Sequence, residues 1–387
     1  MAHLIRQQVL HVELNGTEAD GLALQKRLSA LCHNWLQPEI ERIFDRSAPT
    51  EEHLYIEQLE VNLGAFDLSR LEQELPAAVA EALEKAIREK VGTAGLPIGS
   101  GGREVQLKTD AQVVWEAFLH CLRTGRLPWS FRLPPGETLE TALQRMLAAG
   151  VPAVYVAETE HLIHSQTARK RLAEQFSEGF LATLLELINQ QTSAREQLTI
   201  AQLKASSRTD ALPDDVPEPT YPETEALYVE DAGLVLLHPF LPQFFATMGV
   251  AQAQKLLQPA RALFLLHYLA TGAETAKEYE LVLPKILCGL PVDMPVEGNV
   301  ELTEIEKAEA NTLLEAVVRH WGALKNTSPD GLREAFLQRA GKLSRRNDDW
   351  LLQVEQRGHD LLLESLPWNI AVSQLPWMPN LLWTDWT

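Results

Sequence analysis

Catalytic or metal chemistry in this chain would have to come from its 11 histidines, 3 cysteines and scattered acids. His161 and His164 stand at i and i+3 of an expected helix, with Glu158 and Glu160 beside them. Zinc asks for a third and fourth ligand, and the His-Glu-x-x-His order is missing, so a solvated helix face is expected. His267 lies inside Leu-Phe-Leu-Leu-His-Tyr-Leu, the setting of a hydrogen-bonded core histidine. His238 follows the apolar run 234–237 in a His-Pro-Phe turn, with no nucleophile motif near it. Cys32, Cys121 and Cys288 are odd in number, far apart and in apolar surroundings, as buried thiols of a reducing compartment would be. Neither Gly-x-Ser-x-Gly, a dinucleotide glycine fingerprint, a Walker loop nor Cys-x-x-Cys occurs. Gly99-Ser-Gly-Gly102 lacks both a preceding strand and a following Lys-Ser/Thr, so it reads as linker. No catalytic residue, cofactor or metal ligand is expected, and Cys32, Cys121, His161 and His164 are expected to do no chemistry.

Tryptophan is the residue type whose placement stands out. Trp350, Trp368, Trp377, Trp383 and Trp386, five of the 9 in the chain, fall in its final 38 residues. Tryptophan buries a large ring and anchors interfaces. Two roles therefore stay open for the five: an aromatic core of a terminal hairpin module, or a surface that docks a partner.

The elements that must carry these residues follow from periodicity. Residues 1–91 read as a β-α-β-α module. A strand at Val9–Leu14 ends at Asn15-Gly16, and Thr17 with Asp20 forms a capping box. Leu24, Leu28, Leu31 and Trp35 then recur at helical spacing, and Pro38 kinks or restarts that helix. A second strand is expected within Leu54–Leu63, and Leu71, Leu75, Val79, Leu83 and Ile87 mark a second helix after Ser69-Arg-Leu-Glu72. Two strands alone are marginal, so this module is expected to pair with another copy or a partner. Residues 92–109 read as a Gly-rich linker and 110–204 as helical, with Leu172, Phe176, Phe180, Leu184 and Ile188 as one helical stripe. Residues 205–226 form an acidic, Pro-rich spacer. Residues 227–387 read as a helical C-terminal domain. Thr303-Glu-Ile-Glu306 and Thr327-Ser-Pro-Asp330 open helices there, and 341–345 with 350–355 form a strand pair in a Trp-rich terminal module. The fold class is predominantly α with α+β ends, strands being confined to about 4–14, 54–63 and 341–374.

Composition narrows the partners. The 387 residues are 45% apolar and 22% charged, with a mean hydropathy of −0.13, an ordinary globular balance. Against 53 acids stand 34 bases, giving −19, which repels a phosphate backbone and excludes nucleic acid in the absence of a basic stripe. The apolar run Ala262–Ala270 is half the length of a membrane span. Met1-Ala-His-Leu-Ile-Arg-Gln-Gln lacks the continuous apolar core of a signal peptide. A cytoplasmic protein is expected.

Several blocks together are similar to one family. They are His3–Leu10, Gly16–Asp20, Ile56–Gly64, Val229–Pro242, Glu278–Pro291, Trp321–Arg339, Leu366–Ile370 and Leu375–Met378. In them the chain resembles the tape measure proteins of contractile injection systems, the phage-tail-like particles of bacteria. The resemblance covers about the first 90 and the last 160 residues. It implies a structural assembly component that sets tube and sheath length in the bacterial cytoplasm and ends up within the particle. It also implies protein partners among the inner tube, baseplate or cap proteins, with self-association as a further expectation and no catalytic residues. The alternative is a soluble adaptor or chaperone for a tube, baseplate or cargo component.

Overall fold

The computed structural model describes residues 5, 8–32, 36–47, 52–93, 105–134, 136–190, 199–207, 226–296, 298 and 300–386. They are mostly helical with a small mixed sheet, and they divide into two compact units, Met1–Val114 and Trp115–Thr387. Most of the acidic spacer (208–225), most of the Gly-rich linker (94–104) and Trp35 lie outside the described residues.

The first unit contains α1 (Glu18–Leu31), α2 (Gln37–Ser47), β1 (Glu52–Ile56), α3 (Leu71–Thr93) and β2 (Val105–Thr109). Thr17 caps α1 reciprocally: its N–H donates to the Asp20 carboxylate at 2.9 Å, and its hydroxyl accepts from the Asp20 N–H at 3.4 Å. Pro38, the second residue of α2, restarts the helix where a missing N–H costs nothing. Pro76 lies inside α3 without moving its start, and Leu71, Leu75, Val79, Leu83 and Ile87 are all buried. They pack with Leu24, Leu31, Leu36, Ile40 and Ile43 into the core of this unit.

The expected strands of this unit are corrected. The second expected strand overlaps β1 at Leu54–Ile56, whereas residues 8–15 and 58–63 belong to no strand, so the order is not β-α-β-α. The ladder instead joins β1 to β2, with Glu52 opposite Thr109 and Ile56 opposite Val105. Thus the stretch 105–109, read as linker, is a strand. Alternation reports which side chains meet an apolar surface, and Leu59, Val61 and Leu63 do pack on the helical core. It does not supply the second backbone that a ladder requires.

α4 (Asp110–Thr124) runs across the division between the units. The second unit continues with α5 (Leu139–Ala149), α6 (Ala153–Ile163), α7 (Gln166–Gln175), α8 (Glu178–Asn189) and α9 (Ile200–Ser207). The stripe from Leu172 to Ile188 is two helices rather than one. The Ser177 hydroxyl accepts the Phe180 N–H at 3.3 Å and so N-caps α8, while its own N–H donates to Glu140 at 3.0 Å. Phe176 still stacks on Phe180 at 5.0 Å, with Phe118 edge-on to both, so an i+4 stripe survives a break in the backbone.

Beyond the spacer come β3 (Leu227–Val229), a buried 3-10 rod (Ala232–Leu237), α10 (Leu241–Thr247), β4 (Ala251–Gln252), β5 (Lys255–Leu256), α11 (Pro259–Thr271) and α12 (Val282–Leu287). Then follow α13 (Glu304–His320), α14 (Pro329–Leu332), a π-turn (Arg333–Leu337), β6 (Gly341–Arg346), β7 (Asp349–Val354), β8 (Val372–Ser373) and β9 (Leu382–Asp385). Thr303 and Ser328 cap α13 and α14 as their spacing predicts. The sheet order is β3-β6-β7-β9-β8, antiparallel except for β7 beside β9. The expected strand pair is β6–β7. The rod sits so close to the π-turn that a Cβ at Gly233 would lie 1.8 Å from the Phe336 carbonyl oxygen.

Candidate functional site

The five C-terminal tryptophans reach different parts of the second unit. Trp350 is buried on β7, and the Arg345 guanidinium lies 4.6 Å from its ring centre. Trp383 on β9 is one residue beyond Leu382, the partner of Trp350, and so faces the opposite side of the sheet. Its indole N–H donates to Asp349 at 3.0 Å, and Arg346 lies 4.8 Å from its ring. Trp368 donates to the Leu236 carbonyl at 3.0 Å and meets Phe240 edge-on. Trp377 donates to the Leu287 carbonyl at 2.9 Å and stacks on Phe245. Trp386, also buried, donates to Asp360 at 3.3 Å. The indole donors of Trp368, Trp377, Trp383 and Trp386 are thus consumed inside the fold, each on a different element. Trp368, Trp377 and Trp383 remain half-buried, with part of each ring at the surface.

A second constellation escaped the sequence reading. Arg171 of α7, Glu278 of a short 3-10 turn and Lys285 of α12 meet in the interior, each no more than 1% exposed. Glu278 accepts from Arg171 Nε at 3.1 and 3.2 Å and from Lys285 Nζ at 3.0 Å. Arg171 spends its other donors on the carbonyls of Leu122, Arg123 and Asp293, and Lys285 donates to that of Val292 at 3.0 Å. Gln175 extends the network, accepting the Glu278 N–H at 2.8 Å and donating to the Val296 carbonyl at 3.3 Å. These partners lie 48 to 122 residues from Arg171 in sequence, beyond the reach of any spacing rule.

Burial pushes the Lys285 ammonium below its ordinary range, against the pull of the Glu278 carboxylate. Gly125, with φ at +74°, is required here: a Cβ would lie 1.9 Å from Glu278 Oε1. The adjoining cavity, lined by Cys121, Tyr279 and Lys277 among others, holds only about 10 Å³, room for about one water. Desolvated and hydrogen-bonded, the cluster clasps α4 and α7 to the segment 277–296. Burial pushes the Cys121 thiol up to about 12, which favours its protonated form beside the clasp.

The histidines are placed singly. His161 sits in the last turn of α6 and His164 caps it, both exposed. His238 Nδ1 meets the Val235 carbonyl at 2.9 Å. His267 is buried in α11, where desolvation holds its imidazole down to about 4. Among the described residues, no group of three or more His, Cys, Asp or Glu side chains is arranged to hold a metal ion, and no helix is long and apolar enough to cross a membrane. Asp231 is 5% exposed, and its Oδ2 meets no hydrogen-bond donor among the described residues. Burial, with Glu230 and Glu280 nearby, pushes it up to about 7.

The family model described as contractile injection system tape measure protein matches residues 2–213 and 189–386. No curated protein and no solved structure matches the chain.

Proposed function

The chain belongs to the contractile injection system tape measure proteins, and on that premise we propose that it sets the length of the inner tube and sheath while the particle assembles in the cytoplasm. The observation that carries this reading is the family match, which runs through nearly the whole chain in two stretches. Its partners in this reading are tube, baseplate or cap proteins, and it has no catalytic role. The longest described helix, α3, has 23 residues and spans about 35 Å. One long helix is therefore not the measuring device, and the reading rests on the family match. Docking by the tryptophan-rich end belongs to the same proposal. Trp368, Trp377 and Trp383 offer ring surface for it, while Trp350 and Trp386 act from the core.

The second reading, a soluble adaptor or chaperone for a particle component, draws support from one feature. Residues 115–387 pack as one compact unit with a buried ionic clasp, a form suited to presenting a surface. Assembling particles with the chain depleted separates the two. Electron micrographs should then show particles of scattered length if the chain sets length. Uniform, unchanged lengths with a reduced yield would remove the length-setting reading and leave the adaptor.

A further inference from the structure

β3 is where the chain enters its larger sheet after the acidic stretch. It is three residues long and lies at the sheet's edge, with Leu227 opposite Leu343 of β6 and Val229 opposite Gly341. Leu227 and Val229 are buried, and the Arg132 guanidinium sits 3.2 Å from the centre of the Tyr228 ring. Two residues on, the Asp231 carboxyl enters the interior, with Oδ2 meeting no donor among the described residues. On its C-terminal side the rod is wedged. A Cβ on Gly233 would lie 1.8 Å from the Phe336 carbonyl oxygen, and one on Gly341 2.6 Å from the Cβ of Ala232. The Ala232 N–H is also tied to the Arg339 carbonyl at 3.0 Å. The rod thus has little room to shift towards a donor. On the N-terminal side stands a three-residue edge strand, the kind of segment that opens locally at low cost.

Among the described residues, the charges that act on Asp231 are Glu230 beside it and Glu280 of the 278–280 turn, both acids. The cations of the surrounding elements are directed elsewhere. Arg132 lies on Tyr228, and Lys277 donates to the Gln175 carbonyl. Arg333 is held by Asp330 and Asn311, and Arg339 by Asp360. Lys342 stands opposite Tyr228 in the ladder. His238 closes the far end of the rod on the Val235 carbonyl; burial holds it below its ordinary value, so its titration opposes that of Asp231. We propose that Asp231 is a proton-held latch on β3: while the carboxyl keeps its proton residues 227–231 stay seated on β6, and its ionisation is met by opening of that segment to water. A buried carboxylate between two acids, with no donor, is costly, and the open segment hydrates it. With the closed form at about 7 and the open form at an ordinary value of about 4, opening grows as pH rises between these values and levels off above about 7. The latch stands apart from the length-setting reading and survives its failure.

Hydrogen exchange of the full-length chain at pH 5.5, 7 and 8, read by mass spectrometry and corrected for the intrinsic rate, measures the opening. Amides of 227–231 should open about thirtyfold more often at pH 8 than at pH 5.5, while those of α11 keep their protection. Asp231→Asn keeps the size and removes the charge, and should make the opening of 227–231 independent of pH. Tyr228→Ala loses the Arg132 contact, and should raise the opening at every pH while leaving the ratio in place. A flat wild-type profile would overturn the latch whatever the variants do. So would an equal rise in Asp231→Asn. A rise shared by α11 would also overturn it, and would make Asp231 a group of global stability with no local release.

Discussion

Asp231 holds a buried carboxyl whose Oδ2 meets no donor among the described residues, at the entrance to a 3-10 rod that is itself buried. Its folded-state value of about 7 exceeds the ordinary carboxylate range, so the folded protein keeps a proton that the unfolded chain releases above about pH 4. Stability from this group is therefore full below about pH 4, declines as pH rises, and is lost above about 7. His267, held down to about 4, acts in the opposite direction below its ordinary value of about 6.5. The comparison must therefore be between variants at each pH. Asp231→Asn should be the more stable form at pH 8 by about 2–4 kcal/mol, the gap closing towards pH 4.5. Urea unfolding at pH 4.5, 6 and 8 measures it, and a gap independent of pH would contradict the assignment. Glu230 beside it is visible in the sequence, but the burial that leads the shift and the approach of Glu280 come only with the fold.

Elements whose signals are local were legible. The caps at Thr17, Thr303 and Ser328 each depend on a partner three residues on, and the β6–β7 pair on residues a short turn apart. The clasp of α4, α7 and α12 was not. Arginine, glutamate and lysine in an acidic chain read as solvated until the fold removes water from them. Two cations share the one Glu278 carboxylate, so Glu278→Ala leaves both buried without a counter-charge and should cost about 3–5 kcal/mol. Gly125→Ala should also destabilise, because it needs a left-handed φ and drives a methyl into Glu278. Lys285→Met retains the Arg171–Glu278 pair, and its cost should be about half that of Glu278→Ala or less. Equal losses for Glu278→Ala and Lys285→Met would mean that the three do not act as one charge cluster.

At the scale of the molecule, the chain divides at residues 114 and 115 into two units with separate cores. A small unit buries a smaller fraction of its apolar surface than a large one. Calorimetry should therefore resolve two transitions, with Met1–Val114 melting first. Leu75→Ala in α3 should lower only the first, by an amount expected of about 2–5 kcal/mol for a buried leucine. One transition that shifts as a whole would show the units to be coupled.

The helical character, the caps, the acidic balance, the β6–β7 hairpin and the family resemblance are written in the chain itself. Each rests on residue type, short-range spacing or long blocks read directly from the chain. Which segments pair is a matter of the fold: among the described residues Val9–Leu14 joins no ladder while Val105–Thr109 finds β1, because a strand is a relation between two backbones rather than a property of one. The tertiary structure also decided which tryptophans turn a donor inward, and onto which carbonyl or carboxylate. The meeting of Arg171, Glu278 and Lys285 likewise belongs to the fold, since a charge declares itself buried only when distant segments close over it and exclude water.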